Sequence, residues 1–139
     1  MMTKETCDAS GDFVALRGAF KNDHTNIQAL FRRYLASRTE ARPALVHEIL
    51  SRLQSHLDME ENVLFAAIRA SGSHGFNLVA DAVFEYEDIQ SMFRELLQAT
   101  MVDEDVWKER FEEMMRTANI HFITEQRDLL PLLDRSRDI

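Results

Sequence analysis

The feature that most constrains this chain is an internal repeat. The stretch DHTNIQALFRRYL, Asp23 to Leu35, returns as EYEDIQSMFRELL, Glu85 to Leu97. Ile27/Ile89, Gln28/Gln90, Phe31/Phe93, Arg32/Arg94 and Leu35/Leu97 recur at matching places, as does the acid Asp23/Glu85. Where the first copy has His24, the second has Tyr86. A second pair of segments echoes in the same way. HLDMEENVLFAAI from His56 sets against HFITEQRDLLPLL from His121, with His56/His121, Glu60/Glu125 and Leu64/Leu129 in register. The offsets are 62 and 65 residues, so one supersecondary unit is built twice.

The unit is a helical hairpin. Only four glycines and two prolines punctuate 139 residues, which favours long helices over many short strands. The first helix holds His24 and runs to about Ala36, preceded by a shorter turn through Phe13 to Phe20. The second follows Pro43, a residue suited to a first helical turn, and runs to about Ala70. SGSHG, Ser71 to Gly75, breaks the chain. The third helix covers about Asn77 to Ala99. The fourth starts near Asp103, a plausible N-cap, and runs to about Leu130, where Pro131 interrupts it. Four amphipathic helices with short loops predict an all-α, antiparallel up-down four-helix bundle. The length suits one domain with a real core; we place it at 13–139, after a polar segment at 1–12.

A helix turns about 100° per residue, which sorts the apolar stripes. On the first helix, Phe13, Phe20, His24, Ile27, Phe31 and Leu35 share a face. On the second, Leu45, Ile49, Leu53, His56, Glu60, Val63 and Ala67 do. On the third the face is Val79, Ala82, Tyr86, Ile89, Phe93 and Leu97; on the fourth, Trp107, Met114, Ala118, His121, Glu125 and Leu132. Each helix therefore brings a polar group to the core at mid-length.

A buried, unpaired carboxylate costs several kcal/mol even after relaxation. Two of them beside three histidines need a partner, and a pair of divalent cations supplies one. The i, i+4 spacing of His56/Glu60 and His121/Glu125 sets both donors one turn apart on one face. Oxygen and imidazole donors without sulfur suit iron or manganese, and zinc also. One HxxxE on a helix is common by chance and usually an exposed pair, and a single His24 on an apolar face is more often a satisfied core residue. Two core-facing pairs at repeat-related positions, level with His24, point instead to a metal site. Tyr86 has three readings: packing with a satisfied hydroxyl, a phenolate ligand to iron, or a hydrogen-bond donor beside the site. His47 faces away from His56, and His74 lies in the SGSHG turn. Glu61 and Glu85 flank the inward face and read as surface charges, with Glu61 also placed to support the site. Met92, Met101, Met114 and Met115 read as core filling.

Charge and cysteine content exclude other classes. A net charge of −8 with no basic patch repels phosphate backbones, so nucleic acid is not an expected partner. No 18-residue apolar run is present to span a membrane. Cys7 is the single cysteine, so there is neither an internal disulfide nor a thiolate metal site. The opening MMTKETCDASGDF has no apolar run of a secretion signal, and the cytoplasm is the expected compartment.

These residues resemble the hemerythrin-like, or HHE cation-binding, family. That pattern is a histidine on helix one, HxxxE on helix two, a histidine on helix three and HxxxE on helix four. The matching segments are DHTNI with His24, HLDMEENVLF with His56 and Glu60, EYEDI with Tyr86, and HFITEQRDLLP with His121 and Glu125; the likeness covers nearly the whole chain after about Asp12. The resemblance implies a four-helix bundle around a non-haem di-iron centre. Glu60 and Glu125 would bridge the irons, and His24, His56 and His121 would be terminal ligands. Family members bind oxygen, or handle nitric oxide, peroxide or iron, and several act as sensors. The implied function is a di-iron protein that binds or senses a small ligand such as O2, NO or peroxide. The alternatives are a di-iron redox enzyme of peroxidase, catalase or ferroxidase type, and a bundle with a degenerate site acting in protein interaction. Tyr86 departs from the pattern. As a phenolate it would favour ferric iron; as a non-ligand it would leave one metal an open position. Either outcome shifts the expectation from oxygen carriage toward sensing or redox reactivity.

Overall fold

The computed structural model describes residues 9–70, 73–98 and 104–133, and their side chains over 14–70, 77–98 and 104–133. Helix α1 spans Ala9–Ala36 without a break, so the shorter turn expected before His24 is part of one rod. Ser37 ends it, with its Oγ donating to the Tyr34 carbonyl at 2.8 Å. After a 3-10 turn at Thr39–Ala41, α2 runs over Arg42–Met59 with Pro43 in its first turn, where the missing N–H breaks no helical bond. A π-helical turn, Glu60–Leu64, continues into α3, Phe65–Arg69. Helix α4 covers Ser73–Gln98. It starts earlier than Asn77, so Ser73 to Gly75 of the expected break are already helical; residues 71–72 and the expected cap Asp103 lie outside the described residues. Helix α5 covers Glu104–Thr124 and passes into a second π turn, Glu125–Leu129, ahead of Pro131.

The fold is the all-α four-helix bundle that the repeat predicts. The four rods are α1, α2 with α3, α4, and α5, each in contact with the next and α5 with α1. Among the described residues no helix is long and apolar enough to cross a membrane. The seam follows alternating steps of three and four, as bundle packing requires. In α1 it is Phe20, His24, Ile27, Phe31, Tyr34; in α4 it is Val79, Ala82, Tyr86, Ile89, Phe93, Leu96. One end is filled by aromatic rings: Tyr34 meets Phe111 at 5.0 Å, Trp107 stacks on Phe111 at 5.4 Å, and the indole donates to the Leu96 carbonyl.

Three expected core positions are corrected. Leu35 and Leu97 are 59% and 58% exposed. They lie one residue past the seam, where Tyr34 and Leu96 are buried instead, because a seam of period 3.5 drifts from a straight helix's 3.6. Val63 is 41% exposed, while Leu64, Phe65 and Ile68 are buried. The π turn is the reason: the Phe65 N–H bonds to the Glu60 carbonyl, five residues back, so one extra residue enters the turn and the inward face advances by one.

Candidate metal centre

Among the described residues, the buried polar and charged side chains are His24, His56, Glu60, His121 and Glu125, each at most 1% exposed. The core's polarity therefore gathers in one place. His24, His56 and Glu125 each offer a ligand atom within 4.8 Å of the others, and so do Glu60, His121 and Glu125. Glu125 belongs to both groups. The two π turns begin at Glu60 and at Glu125, so the same backbone device delivers each carboxylate.

The imidazoles are all oriented alike. Each turns Nδ1 outward to an oxygen: His24 to Gln126 Oε1 at 2.6 Å, His56 to Asp23 Oδ2 at 2.9 Å, His121 to Glu85 Oε1 at 3.0 Å. Each turns Nε2 inward: His24 to Glu125 at 2.5 Å, His121 to Glu60 at 2.6 Å, and His56 to Glu125 and Glu60 at 3.3 and 3.4 Å. An acceptor on Nδ1 fixes the proton there and leaves the Nε2 lone pair for a cation. Deep in the centre, His56 Nε2, Glu60 Oε1 and Glu125 Oε2 have no hydrogen-bond partner. A buried polar atom without a partner is costly, and these three face the inside of a five-donor cluster. The donor set fits a metal.

The electrostatics agree. Burial works against charge on His56, but its hydrogen bond to Asp23 and the carboxylates Glu125 and Glu60 lift its pKa to about 11. His121 is lifted against burial to about 10 by Glu60, Glu85 and Glu125. Burial pushes Glu60 up, and the nearby Glu125 charge adds to it. Glu125 is held well below the ordinary carboxylate range, despite burial, by bonds with Glu60, His24 and His56. The protons on His56 and His121 sit where cationic charge is wanted, and metal ions would replace them.

The repeat extends to the supporting residues. Asp23 and Glu85 correspond, and each holds the outward nitrogen of the histidine in its own hairpin. Gln126 and Glu61 correspond, each one residue past a buried glutamate. Gln126 holds His24; Glu61 accepts a hydrogen bond from Tyr86 Oη at 3.1 Å. Gln90 donates to the same hydroxyl at 3.0 Å, and Phe65 packs edge-on against the ring at 5.9 Å. Burial pushes the phenol pKa up, and Glu61 adds to that while Gln90 opposes it. So Tyr86 lies on the core seam, 8% exposed, with its hydroxyl bonded to side chains flanking the centre. Glu85, read from the sequence as a surface charge, bonds to His121; Glu61, read as a surface charge or a support of the site, bonds to Tyr86. The signal that finds Glu85 is the recurrence of an acid before His24 and before Tyr86. His47 is exposed as expected; the side chain of His74 is outside the described residues.

A family model described as hemerythrin HHE cation binding domain matches residues 16–133. No curated protein and no solved structure matches the chain.

Proposed function

The chain belongs to the hemerythrin HHE cation-binding family, and on that premise we propose that its buried centre holds two iron ions and binds or senses a small ligand such as O2, NO or peroxide. Glu60 and Glu125 would bridge the ions, with His24, His56 and His121 as terminal donors. An iron pair supplies redox change and coordination for a ligand of a few atoms. The observation that carries the reading is the shared orientation of the three imidazoles, Nε2 inward, around unpartnered oxygens of Glu60 and Glu125. The surrounding residues have separable tasks. Asp23, Glu85 and Gln126 orient the imidazoles, while Phe20 and Phe122 exclude water from His24 and His56, with Phe122 stacked on His24 at 4.3 Å. The same donors suit manganese, and zinc also.

The test is to purify the protein aerobically, count metals per chain by mass spectrometry and record the visible spectrum of the same sample. Two irons per chain with oxo-bridge absorption is the expected result. A protein that stays metal-free after anaerobic ferrous loading would refute the reading. Steady turnover of peroxide or ferrous iron, lost in Glu60→Ala, would move the function from binding to catalysis.

A further inference from the structure

The imidazoles are divided unequally between the two donor groups. His24 and His56 stand with Glu125, whereas His121 alone stands with Glu60 and Glu125. The carboxylates are shared. His56 Nε2 lies 3.3 Å from Glu125 and 3.4 Å from Glu60, and His121 Nε2 lies 2.6 Å from Glu60 and 3.8 Å from Glu125. The outer supports are matched too, since Asp23 and Glu85 hold His56 and His121 at 2.9 and 3.0 Å. The difference therefore lies in the terminal donors. Helix α1 sends His24 to the centre; α4 sends Tyr86, whose hydroxyl is taken by Glu61 and Gln90 at 3.1 and 3.0 Å. Ring contacts widen the gap. Phe122 stacks on His24 at 4.3 Å and Phe20 meets His56 at 5.5 Å, while the His121 ring meets Phe122 at 6.5 Å. The first two imidazoles are held in place before an ion arrives, which lowers the cost of binding it.

Resting on the proposed two-ion centre, we infer that its halves are unequal metal sites. The His24–His56 half fills first and prefers an ion that favours nitrogen, such as zinc or ferrous iron. The Glu60–His121 half fills second, exchanges readily and accepts an ion that favours oxygen, such as manganese. Imidazole suits zinc and iron, and carboxylate oxygen suits manganese. The extra imidazole thus raises both the affinity of the first half and its discrimination against manganese. Disturbing one hydrogen bond behind a metal ligand already costs about ten- to a hundredfold in affinity, so a whole imidazole should count for at least about tenfold. The chain should keep one ion when metal is scarce, complete the pair when it is plentiful, and form an unlike pair when two metals are supplied.

The experiment titrates the metal-free full chain with zinc by calorimetry against a competing chelator, while nitrogen NMR of the imidazoles records which Nε2 responds. Two zinc ions should bind, the first at least about tenfold more tightly, with His24 and His56 shifting in the first step and His121 in the second. After one equivalent of zinc, an excess of manganese should give chains carrying one ion of each by native mass spectrometry. His24→Gln should weaken the first step, and His121→Gln should leave it unchanged. Two steps of equal affinity overturn the inference, as does a first step in which His121 responds. Two-zinc and two-manganese chains in place of mixed ones also overturn it. Wild type that takes up only one ion, or neither zinc nor ferrous iron, refutes instead the two-ion reading beneath it.

Discussion

The two helical hairpins share their backbone devices and differ in what they carry inward. Each has a rod broken by a π turn that starts at a buried glutamate, and each has an acid one residue before the central position that holds the partner helix's histidine. Each buries a leucine four residues after the glutamate, Leu64 and Leu129. The first hairpin then points His24 at Glu125, backed by the neutral amide of Gln126. The second points Tyr86 at Glu61, a carboxylate. An imidazole that ligates through Nε2 needs only an acceptor behind it, which an amide oxygen supplies. A phenol that donates to a carboxylate is kept neutral by it. The exchange of Gln126 for Glu61 thus accompanies the exchange of histidine for tyrosine, and the hairpins have diverged in chemistry on one scaffold.

The largest expected effect follows from the residue common to both halves. Glu125→Ala, which removes a member of both donor groups, should abolish metal binding, whereas Glu60→Ala, which removes a member of one group only, should retain part of the metal content; mass spectrometry of both variants decides. Equal losses would show that the halves share their carboxylates equally.

Next come the buried leucines behind the π turns. Leu64→Ala and Leu129→Ala should each lower stability by about 2–5 kcal/mol, measured by denaturant unfolding. A much smaller loss in one hairpin would mean that its π turn relaxes to α-helix and the equivalence fails.

Smaller effects are expected at the supporting acids. Asp23→Asn and Glu85→Gln should each weaken metal binding by roughly ten- to a hundredfold, read by competition with a chelator. Similar losses support equal roles; a marked difference assigns the tighter ion to one hairpin.

Acid–base behaviour refines the comparison further. His56 and His121 have pKa values of about 11 and 10 in the fold, above the ordinary value of about 6.5. Their stabilisation is complete below about pH 6.5 and lost as pH rises through those values. Glu125 is depressed, so its contribution is present above its ordinary value of 4.5 and lost on acidification. The metal-free protein should therefore have its highest Tm between about pH 4.5 and 6.5, with a long alkaline decline. His121→Gln should shorten that decline; an unchanged profile would exclude His121 from it.

The smallest expected effect is at Val63. Replacement by serine should alter stability by no more than about 0.5 kcal/mol, as at other exposed sites. A loss of 2 kcal/mol would place Val63 in the core, as a regular helix would have it, and remove the π turn.

The repeat and the apolar spacing were enough to determine four helices, their pairing into two hairpins, and the convergence of His24, His56, Glu60, His121 and Glu125. These follow from local periodicity, which a chain states residue by residue. Tertiary structure alone decided three other things. It placed Val63 outside and Leu64 inside, because a π turn depends on what the following segment packs against. It drew Glu61 and Glu85 to core groups, because a side chain at the edge of a helix face bonds inward only when a neighbouring helix presents a donor. It settled the contacts of Tyr86, whose hydroxyl bonds to Glu61 and Gln90. The type of a residue on a core seam limits which atoms it offers; the groups around its tip decide which of them are used.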